Sequence, residues 1–131
     1  MFGNNGMQRD NRDYKKRGLS ESDGGRGIKI EATGSPGTLI HTAPSNVASG
    51  EWDAITIRAV NTSGSAVKLT IQWGGTTSPD DLIEQTIPAE DGFTEVIPGH
   101  VLQNGQEVRA FAATADVIVL HGFVNRYGNT P

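Results

Sequence analysis

Two runs of alternating side chains constrain this chain more than any other feature. In AVKLTIQWGG, from Ala66 to Gly75, Val67, Leu69, Ile71 and Trp73 fall on one side, and Lys68, Thr70 and Gln72 on the other. In WDAITIRAV, from Trp52 to Val60, Ile55, Ile57 and Ala59 form one side and Thr56 and Arg58 the opposite one. A period of two belongs to a half-buried strand, because successive side chains of a pleated backbone point to opposite faces, whereas a helix needs 3.6. The five residues between the runs, NTSGS (Asn61 to Ser65), read as a turn, and together the three segments predict a β-hairpin.

The same texture runs on from Gly27. IKIEATG (Ile28 to Gly34) alternates Ile28, Ile30 and Ala32 with Lys29, Glu31 and Thr33. GTLIHTAP (Gly37 to Pro44) ends at a proline that has no N–H to give a ladder. SPDD (Ser78 to Asp81) has a cap-like serine followed by proline, which predicts at most one helical turn before a strand from about Ile83 to Ile87. FTEVI (Phe93 to Ile97), QEVRAFAA (Gln106 to Ala113) and DVIVLHGFVNRY (Asp116 to Tyr127) complete the set, with QNGQ and TAD as turns between them. Strands at this spacing with no helix between them exclude a parallel α/β sheet. They predict an all-β fold: an antiparallel β-sandwich or jelly roll of about seven to nine strands.

The front of the chain reads differently. Residues 1–26 carry six basic and four acidic side chains, and between Met7 and Gly27 only Met7, Tyr14 and Leu19 are sizeable apolar groups. So few cannot offset an ordering cost of roughly 1–2 kcal/mol per backbone residue. The expected organisation is therefore a flexible, mixed-charge N-terminal arm over residues 1–26 and a β-sandwich domain over 27–131. The arm is either a solubilising tail or a segment that orders on a partner through Arg9, Arg12, Tyr14, Lys15, Lys16 and Arg17. Residues 27–131 hold five basic and eleven acidic side chains. Such a surface repels phosphates, so nucleic acid is not an expected partner. The chain has no cysteine, hence no disulfide and no thiolate chemistry. No run approaches the ~18 apolar residues of a membrane span, and the first 27 residues contain no apolar core of a signal peptide, so neither a membrane nor a cleaved signal is expected.

Chemistry is hard to find. His41, His100 and His121 are far apart and show none of the close pairs that mark zinc sites, so they read as strand and packing residues. The serine-containing NTSGS lacks the strand-to-helix elbow of a nucleophile. Asp80, Asp81, Glu84, Glu90 and Asp91 lack the spacing of a calcium loop and read as solvated loop. No catalytic residue, metal or cofactor is expected, and an enzyme would need a site dispersed over the sandwich. Trp73 continues the inward phase of Ile71 and reads as core. Trp52 follows a loop and is the candidate for stacking on a sugar ring. The last strand is apolar on both faces. One reading gives it to a subunit contact through Ile118, Leu120 and Val124; the other places it in the middle of the core.

The order of motifs GTLIHTAP (Gly37 to Pro44), NTSGSAVKLTI (Asn61 to Ile71), TIPAEDGFTEVIPGHVLQNGQEVRAFAAT (Thr86 to Thr114) and VIVLHGFVNRY (Val117 to Tyr127) resembles small β-sandwich virion proteins of tailed bacteriophages. His41 stands where such proteins more often have an aromatic residue, and nothing before Gly27 takes part in the likeness. The resemblance implies a non-enzymatic structural protein made in the host cytoplasm and carried in the virion. It would be a capsid decoration (cement) protein, a head-fibre base, or a neck or tail adaptor, commonly a homotrimer. Its partners would be the major capsid protein or other virion proteins. A receptor- or glycan-binding module of a fibre or tail is the alternative.

Overall fold

The computed structural model describes residues 15–45 and 50–128. Nine strands follow in chain order: β1 (Lys15–Gly18), β2 (Ile28–Lys29), β3 (Thr38–Thr42), β4 (Trp52–Asn61), β5 (Val67–Trp73), β6 (Leu82–Ile87), β7 (Thr94–Gln103), β8 (Glu107–Ala112) and β9 (Ile118–Tyr127). They form two antiparallel sheets and, among the described residues, no helix. One sheet has the order β1-β9-β4-β7, with β2 pairing the other half of the β9 edge, and the second has the order β3-β8-β5-β6. The all-β expectation is thus met, with two sheets packed as a sandwich.

The core lies where alternation puts it. Ile55, Ile57 and Ala59 of β4 and Ile118, Leu120 and Val124 of β9 face Leu69 and Ile71 of β5 and Val108, Ala110 and Ala112 of β8, all with no exposed surface. Trp73 sits at the rim, half-buried against that core. Gly122, in the middle of β9, has no room for a side chain, since a Cβ there would run into the Thr56 carbonyl oxygen. SPDD forms a turn, closed by Asp81 N–H donating to the Thr77 carbonyl at 2.9 Å, and the strand after it begins at Leu82.

Three sequence expectations are corrected here. The first is the hairpin. β4 and β5 do not pair: β4 lies between β9 and β7, and β5 between β8 and β6. NTSGS is an arch that carries the chain from one sheet to the other. A period-two pattern tells which side of a strand is buried, not which strand lies beside it. Here the two apolar faces meet each other across the core. The arch is held by Asn61, fully buried, whose Nδ2 donates to the carbonyls of Ser65 (2.8 Å) and Ile87 (2.9 Å) while its Oδ1 accepts from Ser63 N–H (2.9 Å). An asparagine in the inward phase of β4 is satisfied only by such a reversal of the backbone around it.

The second correction concerns the arm. Residues 15–26 belong to the sandwich. β1 pairs with β9 in the register Lys15↔Arg126 to Gly18↔Phe123. Leu19 is 2% exposed, and Glu21 N–H donates to the Ile40 carbonyl at 3.3 Å. Too few apolar residues is a poor criterion for a short edge strand: its ladder is supplied by β9, and one leucine suffices to anchor it. The domain therefore begins upstream of Gly27. Arg9, Arg12 and Tyr14 lie outside the described residues.

The third correction is the proposed subunit contact. Ile118, Leu120 and Val124 have no exposed surface within the single chain. The outward face of β9 carries Val119, His121 and Phe123 instead, each half-buried. Phe123 has the Lys16 ammonium 4.3 Å from its ring centroid, and His121 meets Phe93 edge-on at 5.1 Å.

Candidate functional site

The polar heart of the molecule lies at the end of the sandwich where β4 begins and β9 ends. Asp53 follows the inward phase of Ile55 and Ile57, so the fold of β4 forces a carboxylate into the interior. Its cross-strand partner on β9 is Arg126. The guanidinium grips it with two bonds, Nε to Oδ1 at 2.8 Å and Nη2 to Oδ2 at 3.0 Å. From the opposite sheet His41 of β3 reaches the same carboxylate, Nε2 to Oδ2 at 2.6 Å. Asp53 is 0% and His41 1% exposed.

The histidine tautomer follows from its other partner. Ser20 N–H points at Nδ1 from 2.9 Å, and a backbone N–H can only donate. Nδ1 is therefore the acceptor and the ring hydrogen sits on Nε2, facing Asp53. Ser20 Oγ in turn accepts from Thr42 N–H at 2.8 Å. Burial pushes the Asp53 carboxyl up, but the bonds from His41 and Arg126 and the charge of Arg126 outweigh it, leaving the group below its ordinary value. Arg126 moves the other way: its bond to Asp53 outweighs burial and holds its pKa above the ordinary value.

Beside this network opens a cleft of about 700 Å³. Arg17, Ser20, Ser22, His41, Ser45 and Arg126 supply its polar walls, and Leu19, Ala43 and Pro44 its apolar surface. No Asp or Glu is among the described residues that line it. The segment Arg17–Gly25 forms one wall, so the cleft exists only because the supposed arm is folded.

Ser20 and His41 do not form a serine–histidine nucleophile pair here: the Ser20 group bound to His41 is its backbone N–H, not the hydroxyl, and only 1% of His41 is exposed where it borders the cleft. Among the described residues no group of three or more His, Asp or Glu side chains is placed to hold a metal ion.

The sequence-derived candidates are scattered by comparison. Lys15, Lys16 and Arg17 lie in β1, with Lys16 over Phe123 and Arg17 on the cleft wall. Trp52 is half-buried and stacks on Tyr127 of β9, ring centroids 4.3 Å apart at 19°, so one face of its ring is already occupied. The pair stands one residue along from Asp53 and Arg126, on the outward side of the same two strands. The His41–Asp53–Arg126 network was missed. Its signal was present in the alternation, which places Asp53 in phase with Ile55 and Arg126 in phase with Val124. Comparison of the chain with protein families, curated proteins and solved structures finds no match.

Proposed function

We propose that this chain is a non-enzymatic virion protein of a tailed bacteriophage, a capsid decoration protein that binds the outer shell as a homotrimer. The motif resemblance supports the reading. So does strand order: β1/β2-β9-β4-β7 facing β3-β8-β5-β6 supports a jelly roll, with β1 and β2 sharing the place of one edge strand.

The observation that carries the assembly part is the outward face of the β1-β9-β4-β7 sheet. Phe93 is 60% and Val101 44% exposed, and Val119, Phe123 and the Trp52–Tyr127 pair add half-buried apolar area on the same side. Apolar groups gathered on one outer face favour a protein contact. Arg9, Arg12 and Tyr14 would add contacts of the residues before Lys15 to the particle. The alternative, a glycan- or receptor-binding module, is favoured by the Trp52–Tyr127 pair beside a polar cleft.

The test is light scattering on the full chain together with co-sedimentation with undecorated capsids. A trimer that pellets with shells supports decoration. A monomer that stays in the supernatant refutes it, and a glycan array then tests the alternative.

A further inference from the structure

We infer that the cleft between Arg17 and Arg126 is a binding site for an oxyanion, the carboxylate or phosphate group of a small organic ligand. The inference does not depend on the virion reading.

The first argument is the state of Arg126. Asp53 holds its Nε and Nη2, and no protein group among the described residues bonds Nη1. The side chain keeps 21% of its surface exposed and lines the cleft. An arginine already fixed by a buried carboxylate has little rotamer freedom left to lose when an anion arrives, and its remaining N–H groups present a directed donor pair.

The second is the balance of charge. Asp53 and Arg126 cancel each other. His41, with Nδ1 accepting from Ser20, is neutral in this arrangement. Arg17 then adds a positive charge with no ion-pair partner among the described residues. Across a chain with fifteen acidic and eleven basic side chains, a cleft with two guanidinium groups and, among the described residues, no acidic lining residue is the reverse of the average surface. Glu21 and Asp23 fall between lining positions in the sequence but do not line the walls. Glu51 acts on Arg126 from outside the cleft.

The third is the remaining donor capacity. Ser20 Oγ accepts from Thr42 N–H, which leaves its own hydrogen for a ligand. Ser45 adds a hydroxyl at the rim, and Leu19, Ala43 and Pro44 supply apolar surface for a carbon skeleton. A few convergent polar groups on a partly apolar concave surface are the usual make-up of a small-molecule site.

The experiment is a titration of the full chain followed by amide chemical shifts, using glucuronate, glucose 6-phosphate, inorganic phosphate and glucose as probes. The expected result is saturable binding of glucuronate or glucose 6-phosphate, with a Kd of about 1 mM or tighter, shifting amides of Arg17–Ser22 and Thr42–Ser45 while glucose shifts none. Whichever probe binds tells carboxylate from phosphate. Arg17→Ala should weaken that binding about tenfold, the loss of one charge-assisted pair, with the rest of the spectrum unchanged because Arg17 is exposed. Four results would overturn the inference: no saturation below about 10 mM, shifts located elsewhere, equal binding of glucose, or an Arg17→Ala variant that binds as tightly as the parent. Inorganic phosphate binding as tightly as glucose 6-phosphate would overturn the assignment to an organic ligand.

Discussion

Leu19→Ala tests whether the chain before Gly27 is part of the fold. Leu19 follows β1, is 2% exposed, and belongs to the same buried cluster as Ile40 and Ala43. Removing three of its carbons forfeits about 2.4 kcal/mol of transfer free energy at roughly 0.8 kcal/mol per carbon. A cavity left behind raises the cost to about 3 kcal/mol. The four residues of β1 are all exposed, so little else of apolar character holds this segment. Urea unfolding followed by tryptophan fluorescence should show the midpoint falling by about 1.5 M for a slope near 2 kcal/mol/M. If opening is confined to β1, the midpoint stays and trypsin cleavage at Lys15, Lys16 and Arg17 accelerates instead, by about a hundredfold for the same free energy. Gly18→Ala is the control, since a Cβ there meets nothing within 4 Å. A Leu19→Ala variant matching its parent in both urea midpoint and trypsin rate would refute the anchored strand and restore the free arm.

Asp53→Asn should cost about 3–5 kcal/mol at neutral pH, because an amide keeps one acceptor oxygen but turns an NH2 donor toward donors of Arg126 or His41 and leaves the Arg126 charge uncompensated. The parent has a linked acid limb: with the folded Asp53 pKa below the ordinary 3.8, its stabilisation is complete above that value and is lost as pH falls toward the folded pKa. Stability curves of Asp53→Asn should lack that part of the slope, and parallel curves would exclude the assignment. Lys16→Cys with Asn125→Cys, directly opposed across β1 and β9, should oxidise to an intrachain disulfide seen as a mobility shift on a non-reducing gel; free thiols or an interchain product would contradict the register. Leu120→Asp should yield an unfolded chain by circular dichroism, whereas Val101→Asp should leave the monomer folded and dissociate the trimer proposed above; a folded Leu120→Asp variant would contradict the core placement.

Fold class was legible because alternation is a local property. Ile55, Ile57, Leu69 and Ile71 announce their buried side whatever they pack against. Partnership is not local. Nothing in WDAITIRAV distinguishes β5 beside it from β5 across the core, and only the fully buried Asn61 hinted that the chain turns over at that point. The last strand shows the same limit, since with two apolar faces its phase alone leaves open which one is inside. The corresponding face of β4 settles it, because Ala59↔Leu120 and Ile55↔Val124 are cross-strand pairs. The site was less legible still. Its members stand at positions 20, 41, 53 and 126, and two of them become recognisable only when a charge is noticed in a buried phase.

Strand order also sets how this chain must find its fold. Among the described residues only β5 and β6 pair across a local connection; every other ladder unites strands distant in sequence, and β9 supplies the one ladder of β1 and of β2 and one of the two ladders of β4. Loop closure must precede almost every stabilising contact, which places such a topology among slow folders, with relaxation of milliseconds to seconds rather than microseconds. On the ribosome β1, β2 and β4 emerge long before β9. The edges that β9 covers stay open until it arrives, so the yield of native protein depends on keeping those early strands apart during synthesis.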